Sequence, residues 1–487
     1  MTRSSLALAA VVTIPFAAPA LAQSDDEARP RTAYELARDL GVSGDDSRPA
    51  NQRRLNFLGK PLIIGGEIGG TLRWRRGYAL ARGADDDDAQ LAPEMKLEAI
   101  WLLSDTLVTF ADAKIFADST IYRQGGGAKT QAGLELSEAW LLKTDLFNTP
   151  LAVQVGRQQF QDRREWWWDE NLDAIRLHYF GDKVRAFVGA AREIGHKSTL
   201  GRADPEDKGL HRLLGNLKWD FADRQQVEFF ALHQSDRSRR TLLGEIVDRD
   251  RRDEADGKLD WIGLRARGRV KLKFPGKFYY WADVARVSGT ERLVDFDRLD
   301  NKRDIAEGIT RRRIRGWAFD VGSSFELPFK SSPYLTLGFA RGSGDRNPGS
   351  GRDRAFRQTG LHGNNGKFRG LSRFRYYGEV LRPELSNLAV STVALGIPVG
   401  KVSWVETIWH RYRQPVAASR IVGDRLDIDP NGIDRRLGDE FDIVVSHRPT
   451  AAWEYELTAG AFRAGPAFGP QEGRWASMVS LKLDYNF

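Results

Sequence analysis

Cysteine is absent from the 487-residue chain. No disulfide can form, and a chain free of stray thiols suits an oxidising compartment. Long apolar runs are missing too. No internal stretch of about 18 apolar residues exists, so no helix is built to span a bilayer, and the mean hydropathy is −0.47. Catalytic signatures are lacking. The seven histidines are scattered, and no pair stands at helical i, i+4 spacing around a glutamate, which removes the zinc-protease pattern. Neither a G-x-S-x-G elbow nor a complete phosphate-binding loop occurs. No helical pattern of about twelve residues or more separates the extended segments, which excludes a parallel α/β arrangement.

What is present points outward from the cytoplasm. The chain carries 48 glycines, 14 tryptophans and a formal net charge of +8. Its start, MTRSSLALAAVVTIPFAAPALAQ, sets Arg3 before an apolar core from Leu6 to Ala18 and ends in Ala20-Leu21-Ala22. This is the pattern of a secretory signal peptide cut after Ala22, so residues 1–22 are expected to be removed. Export argues against nucleic acid as the partner of the positive charge. Residues 23–60 are expected to form a short periplasmic segment. In RTAYELARDLG, Tyr34, Ala37 and Leu40 recur at helical spacing and Gly41 ends the run. That helix serves either as a cap or plug for the body of the protein or as a docking site for a periplasmic secretion partner.

From residue 61 to residue 487 the period is two. In LDWIGLRARGRVKL, Ile262, Leu264 and Val270 alternate with Trp261, Arg265, Arg267, Arg269 and Lys271. Trp317, Phe319 and Val321 alternate with Ala318 and Asp320, and Leu72 and Trp74 with Arg73 and Arg75. Each segment thus has one apolar and one polar face. About eighteen such segments are separated by short turns or long polar loops, the longest loop running from Arg341 to Gly370. The chain ends WASMVSLKLDYNF, with Val479, Leu481, Leu483, Tyr485 and Phe487 on one face. In a soluble sandwich such a terminal strand is a sticky edge. In a closed barrel it pairs with the first strand and leaves no edge. The expected fold is all-β, an antiparallel transmembrane β-barrel of about 18 strands in the outer membrane, monomeric, with its apolar face toward lipid and its polar face toward the lumen.

That inversion turns Arg265, Arg267, Arg269 and Lys271 into a basic ladder inside the pore, an expected source of anion selectivity. In GRQQFQDRREWWWDEN, Trp166, Trp167 and Trp168 stand among charges. They belong either in the lumen, where indoles stack on sugar rings, or in the aromatic girdle at the lipid interface. DIDPNG offers Asp427, Asp429 and Asn431 as the first half of a calcium loop, but the twelfth position is Gly438 where a bidentate glutamate is needed. An Asx-rich turn is the competing reading, and no other cofactor is expected.

Several stretches resemble the alginate export porins of the bacterial outer membrane. Gly156, Arg157, Gln158, Asp169 and Asn171 match a Gly-Arg-Gln strand followed by an Asp-x-Asn element. ARGSGD at Ala340–Asp345, FRQTGL at Phe356–Leu361, YYGEVLRPELSNL at Tyr376–Leu388, PEDK at Pro205–Lys208, and Gly438, Glu440, Asp442, Val444 and Val445 also match, in order over nearly the whole mature chain. The resemblance implies an eighteen-stranded barrel whose basic constriction passes an anionic polysaccharide outward. Arg373 would be a constriction arginine, Asp169 the carboxylate facing it, and Asn171 its companion. Other constriction arginines do not carry over, since Ser137, Gln159 and Glu456 stand in their places and Lys482 replaces an acid. The function so implied is a non-enzymatic outer-membrane channel for export of alginate or an alginate-like polyuronate. The alternatives are a selective uptake porin for anionic oligosaccharides and, more remotely, a barrel enzyme.

Overall fold

The computed structural model describes residues 32–40, 52–81, 87–124, 127–195, 197–200, 209–236, 241–249, 252, 253, 255–271, 276–300 and 302–487. The expected signal peptide and the PEDK stretch lie outside them. Eighteen long strands follow one another: β1 (Lys60–Arg76), β2 (Asp88–Ser104), β3 (Leu107–Arg123), β4 (Lys129–Lys143), β5 (Leu151–Gln161), β6 (Asp169–Phe180), β7 (Val184–Arg192), β8 (His211–Ala222) and β9 (Gln225–Ser235) form the first half. The second half is β10 (Ala255–Lys271), β11 (Lys277–Arg298), β12 (Arg303–Glu326), β13 (Tyr334–Gly342), β14 (Ala389–Val399), β15 (Ser403–Arg413), β16 (Arg436–His447), β17 (Trp453–Ala464) and β18 (Trp475–Asn486).

Every neighbour pair is antiparallel, and β18 returns to pair with β1, Tyr485 opposite Ile68 and Val479 opposite Trp74. Phe487 completes the closure. Its N–H donates to Gly66 O and its carbonyl accepts from Gly66 N–H, both at 2.9 Å. No wall edge is left unpaired at the seam, as a bilayer demands. The alternation works as the sequence pattern requires. Val479, Leu481 and Leu483 are 41–47% exposed on the outer face, whereas Thr458, Ser480 and Asp484 are buried inside. The start of β1, the C-terminus and most short turns share one rim, and the longest connections share the other, an arrangement that in outer-membrane barrels marks the first rim as periplasmic.

Two features narrow the lumen. At the periplasmic mouth, helix α1 (Ala33–Leu40) buries Ala33, Leu36 and Ala37 against the inward residues Ile63, Ile100, Phe110, Trp140 and Leu142. Its first turn is set by a capping box: Glu35 N–H donates to Thr32 Oγ1 at 3.2 Å, and Thr32 N–H donates to Glu35 Oε2 at 2.8 Å. At the extracellular end, the β5–β6 hairpin leaves the wall. The two strands pair with each other as far as Gln161 opposite Asp169. Yet β5 pairs with β4 only to Arg157, and β6 with β7 only from Ala174. The tip therefore bends away from both neighbours. Gly156 marks the bend with φ +125°, and a Cβ there would strike the Ala139 carbonyl. Residues 197–199 take the vacated place beside β4: Leu136 N–H donates to Lys197 O, and Thr199 N–H to Leu134 O, both at 2.9 Å.

The long outer loop is longer than the sequence suggested. It connects β13 to β14 from Ser343 to Leu388, so the YYGEVLRPELSNL block and Arg373 lie in a loop, outside the wall strands.

Candidate functional site

The hairpin tip is held in the lumen by a buried ionic network. Asp162 is its hub. Its carboxylate accepts the N–H groups of Arg164, Trp167 and Trp168 at 3.0, 2.7 and 3.2 Å, and Arg265 Nη1 at 2.6 Å. Burial opposes the Asp162 charge, but Arg265 and the backbone donors outweigh it and hold the pKa below the usual carboxylate range. Arg265 also reaches Asp283 at 2.6 Å. Arg164 bridges Asp283 at 2.7 Å and Asp320 at 2.6 Å. The wall supplies these partners by register: Glu228 stands opposite Arg265, Arg265 opposite Asp283, and Asp283 opposite Asp320 across four adjacent strands. Tyr377 from the long loop donates to Asp320 at 2.7 Å and receives Trp166 Nε1 at 2.8 Å.

The long loop is locked onto this tip. Trp167 stacks on Phe230 at 4.9 Å and 5°, and Trp166 on Phe356 at 6.2 Å and 16°. Thr359 Oγ1 donates to the Trp167 carbonyl, and Leu385 N–H donates to Gln358 Oε1 at 2.9 Å. On β15 and β16 Glu440 accepts Val380 N–H at 2.7 Å and Leu381 N–H at 3.0 Å, and Tyr412 OH donates to Tyr377 O at 3.0 Å. The motif blocks QTG, YYGEVL and Glu440 are thus the contacts that fix two inward loops to each other and to the wall.

Several site expectations need correction. Trp166, Trp167 and Trp168 lie inside the barrel, but only 1–3% of each is exposed. Their faces are spent on Phe230, Phe356 and each other, so neither a lipid girdle nor a sugar-stacking platform describes them. Arg265 is fully neutralised, which breaks the expected four-cation ladder. Arg267 is partly so, with Glu228 at 3.4 Å and Gln226 Oε1 at 2.7 Å. Arg269 has no ion pair among the described residues, and Lys271 is exposed near the periplasmic rim. Arg157 shares the face of the lipid-exposed Val155 and Ile175. It binds Asp173 twice, at 2.9 and 3.1 Å, and donates to Gly195 O at 2.6 Å, clamping the base of the bent hairpin. Asp169 makes no ion pair with Arg373 among the described residues. It accepts Gln159 and Gln161 at 3.3 and 3.0 Å. Asn171 stands opposite Gln159 in the hairpin tip, with its side-chain oxygen buried and unbonded. Lys482 pairs with Asp484 at 2.6 Å. At the DIDPNG stretch the structure shows the competing turn. Asn431 Oδ1 accepts the N–H groups of Ile433 and Asp434 at 2.8 and 2.9 Å, an Asx turn. Among the described residues no group of three or more His, Asp or Glu could hold a metal ion.

Arg373 does reach the site, through a partner the sequence did not single out. Its Nη2 lies 2.5 Å from Glu165 Oε1 and donates to the carbonyl of Asn365 at 3.2 Å. Burial first, and then the neighbouring Asp169 charge, push the Glu165 pKa up to about 8. Below that pH Glu165 favours its neutral form, which weakens its hold on the Arg373 charge. Arg163 was also missed. It is exposed, its carbonyl accepts from Arg373 at 3.5 Å, and it has no ion pair among the described residues. Its signal was its place beside the tryptophans, but nothing in the sequence separates it from the buried Arg164.

Comparison with known proteins agrees with this architecture. A family profile described as Alginate export matches residues 26–481. The Alginate production protein AlgE of Pseudomonas aeruginosa is 25% identical over 75% of this chain and 76% of its own length. That of Pseudomonas syringae pv. tomato is 23% identical over 65% and 68%. In structure the chain is similar to Pseudomonas aeruginosa OccK5 (OpdH), with a TM-score of 0.53 and 11% identity over 88% of this chain and 98% of that one. It is similar to Acinetobacter baumannii OccAB1 with a TM-score of 0.52 and 9% identity over 91% and 99%. Export and porin barrels of this kind are typically non-enzymatic. With the closed eighteen-strand wall and a profile match over most of its length, the chain belongs to the alginate export family of outer-membrane β-barrels.

Proposed function

We propose that the barrel exports an anionic polyuronate, alginate or a close chemical relative, past a cationic edge formed where the two inward loops meet. The observation that carries this reading is the Arg373–Glu165 pair. A lumenal guanidinium has, as its one ion-paired carboxylate among the described residues, a group that burial and Asp169 bias toward neutrality. Arg163 beside it and Arg267 on the wall extend the positive edge. A guanidinium binds a carboxylate bidentately and more strongly than a neutral donor does, and a polymer presenting a carboxylate on each sugar exchanges one such contact for the next. The buried network keeps the edge narrow without occupying its cations. In the periplasmic mouth α1 is the segment that a secretion partner would displace.

The test is current block in a planar bilayer. Polyuronate fragments should block wild type more strongly than neutral oligosaccharides of equal length. Arg163→Ala and Arg373→Ala should each weaken that block about 5- to 150-fold, corresponding to a lost contact of roughly 1–3 kcal/mol. Equal block by acidic and neutral oligosaccharides, unchanged in both variants, would remove the polyuronate reading and leave the barrel architecture intact.

A further inference from the structure

The outer surface of the wall carries a second cationic site, separate from the lumen. On β11, β12 and β13 the alternation turns Val284, Trp317, Val321, Leu337 and Phe339 toward lipid, each 37–50% exposed. The same alternation puts Arg286, Arg315 and Arg341 on that outer face. Register sets Arg286 opposite Trp317, Arg315 opposite Ser288, and Arg341 opposite Phe319. These three arginines therefore sit at the extracellular edge of the aromatic band. The first part of the long outer loop bends over them and adds Arg346, Arg352 and Arg354. Together the six line one cavity of about 540 Å³.

None of the six has an ion pair among the described residues. Two carboxylates lie nearby: Asp345 borders Arg346, Arg352 and Arg354 and accepts Asn347 N–H at 3.2 Å without forming an ion pair with them, and Asp353 pairs with Arg357 at 2.7 Å, so the six cations stay in excess. Arg341 leans over the Trp317 ring at 5.8 Å, and its Nε is buried without a partner. Six like charges around one cavity repel one another, and a bound polyanion relieves that repulsion. The height of the site selects the polyanion. The cavity opens where acyl chains end and headgroups begin, on the side of the wall that a lumenal polymer does not touch. Guanidinium groups match phosphate oxygens bidentately, and Trp317, Phe319 and Phe339 lie below them for acyl chains.

We propose that this cavity binds the phosphorylated headgroup of a glycolipid of the outer leaflet. The bound lipid would brace the β11–β13 wall and, through Ser343, the start of the loop that enters the lumen. Ser343 Oγ accepts Trp317 N–H at 2.9 Å and donates to Arg354 O at 2.7 Å.

The test uses the full chain in detergent micelles, with lipid binding read by native mass spectrometry. The probes are bisphosphorylated lipid A, the same lipid stripped of both phosphates, inorganic phosphate and a polyuronate oligomer. Two triple variants are compared, Arg286→Gln/Arg315→Gln/Arg341→Gln on the wall and Arg346→Gln/Arg352→Gln/Arg354→Gln on the loop, with heat-modifiable migration as the folding check. Wild type should retain bisphosphorylated lipid A. Each variant that folds should bind it about tenfold more weakly or worse, and the dephosphorylated lipid should bind wild type no better than it binds the variants. If the wall variant does not fold, the loop variant decides. Equal retention of the dephosphorylated lipid, unchanged binding in a folded variant, or displacement of the lipid by inorganic phosphate or polyuronate at concentrations comparable to its own would each overturn the proposal.

Discussion

Replacing Arg164 by methionine should release the hairpin tip while leaving the wall intact. Among the described residues Arg164 is the one side chain of the tip paired with both Asp283 and Asp320, at 2.7 and 2.6 Å, and all three side chains are buried. Without it, Asp162 and Asp283 keep Arg265, while Asp320 is left with the neutral donors Tyr377 and Trp281. Removing one partner of a buried ion pair costs about 3–5 kcal/mol. At about 1.4 kcal/mol per decade, the ratio of locked to released tip should fall by roughly two to three and a half decades. The strand pairings do not involve the Arg164 side chain, so heat-modifiable migration should persist. Single-channel conductance should rise and flicker, and block by polyuronate should weaken because Glu165 and Arg163 move with the tip. The double variant Arg164→Met/Asp320→Leu, which removes an unpaired charge along with its partner, should restore part of the closed behaviour, since apolar replacement of a whole buried pair is often neutral or stabilising. A folded Arg164→Met barrel with wild-type conductance and block would refute the claim that this network holds the lumenal constriction.

Single residues elsewhere carry further consequences. Gly156→Val places a branched side chain at φ +125° against the Ala139 carbonyl; it should cost about 1–3 kcal/mol and raise conductance as Arg164→Met does. Arg267→Ser with Arg269→Ser should shift the reversal potential in a salt gradient toward cations, whereas Arg265→Ser should act mainly on stability, read as a lower temperature of heat modification. Glu165 has a raised pKa of about 8, so its charge appears as pH rises through 8; polyuronate block should fall between pH 7 and 9 as Glu165 engages Arg373, and Glu165→Gln should flatten that profile. Removing Phe487 deletes two 2.9 Å hydrogen bonds to Gly66 at the seam and should lower the fraction of chains reaching the heat-modifiable form.

The wall was legible because lipid imposes a period of two that few other environments do. Ile262, Leu264, Trp317 and Leu481 declared their face locally, and Phe487 declared the closure. The destination of the loops was not legible, because it depends on partners far away in sequence. Arg164 and Arg163 are neighbours in the chain, yet one is buried between Asp283 and Asp320 and the other is exposed. Arg265 looked like a free lumen cation because Asp162 and Asp283 become its partners only through barrel register and the inward bend of β5–β6. Arg157 matches the Gly-Arg-Gln strand of the resemblance, but the hairpin detaches at Gly156, which leaves Arg157 on the outer face as a clamp. The resemblance itself fell on residues that hold loops together, Gln358, Thr359, Tyr377 and Glu440. It therefore described the architecture more faithfully than it described substrate contacts, and Glu165, the partner of Arg373, was not among the matched positions.

The most direct measurement is efflux from sealed vesicles carrying the purified full chain, loaded with a labelled polyuronate and a neutral glucan of equal length. The account predicts that the polyuronate leaves faster, that Arg163→Ala/Arg373→Ala narrows the difference, and that the glucan rate is little changed by those substitutions. Equal efflux of the two polymers from wild type, or an acidic preference that survives loss of both arginines, would contradict a cationic edge at the meeting of the two loops.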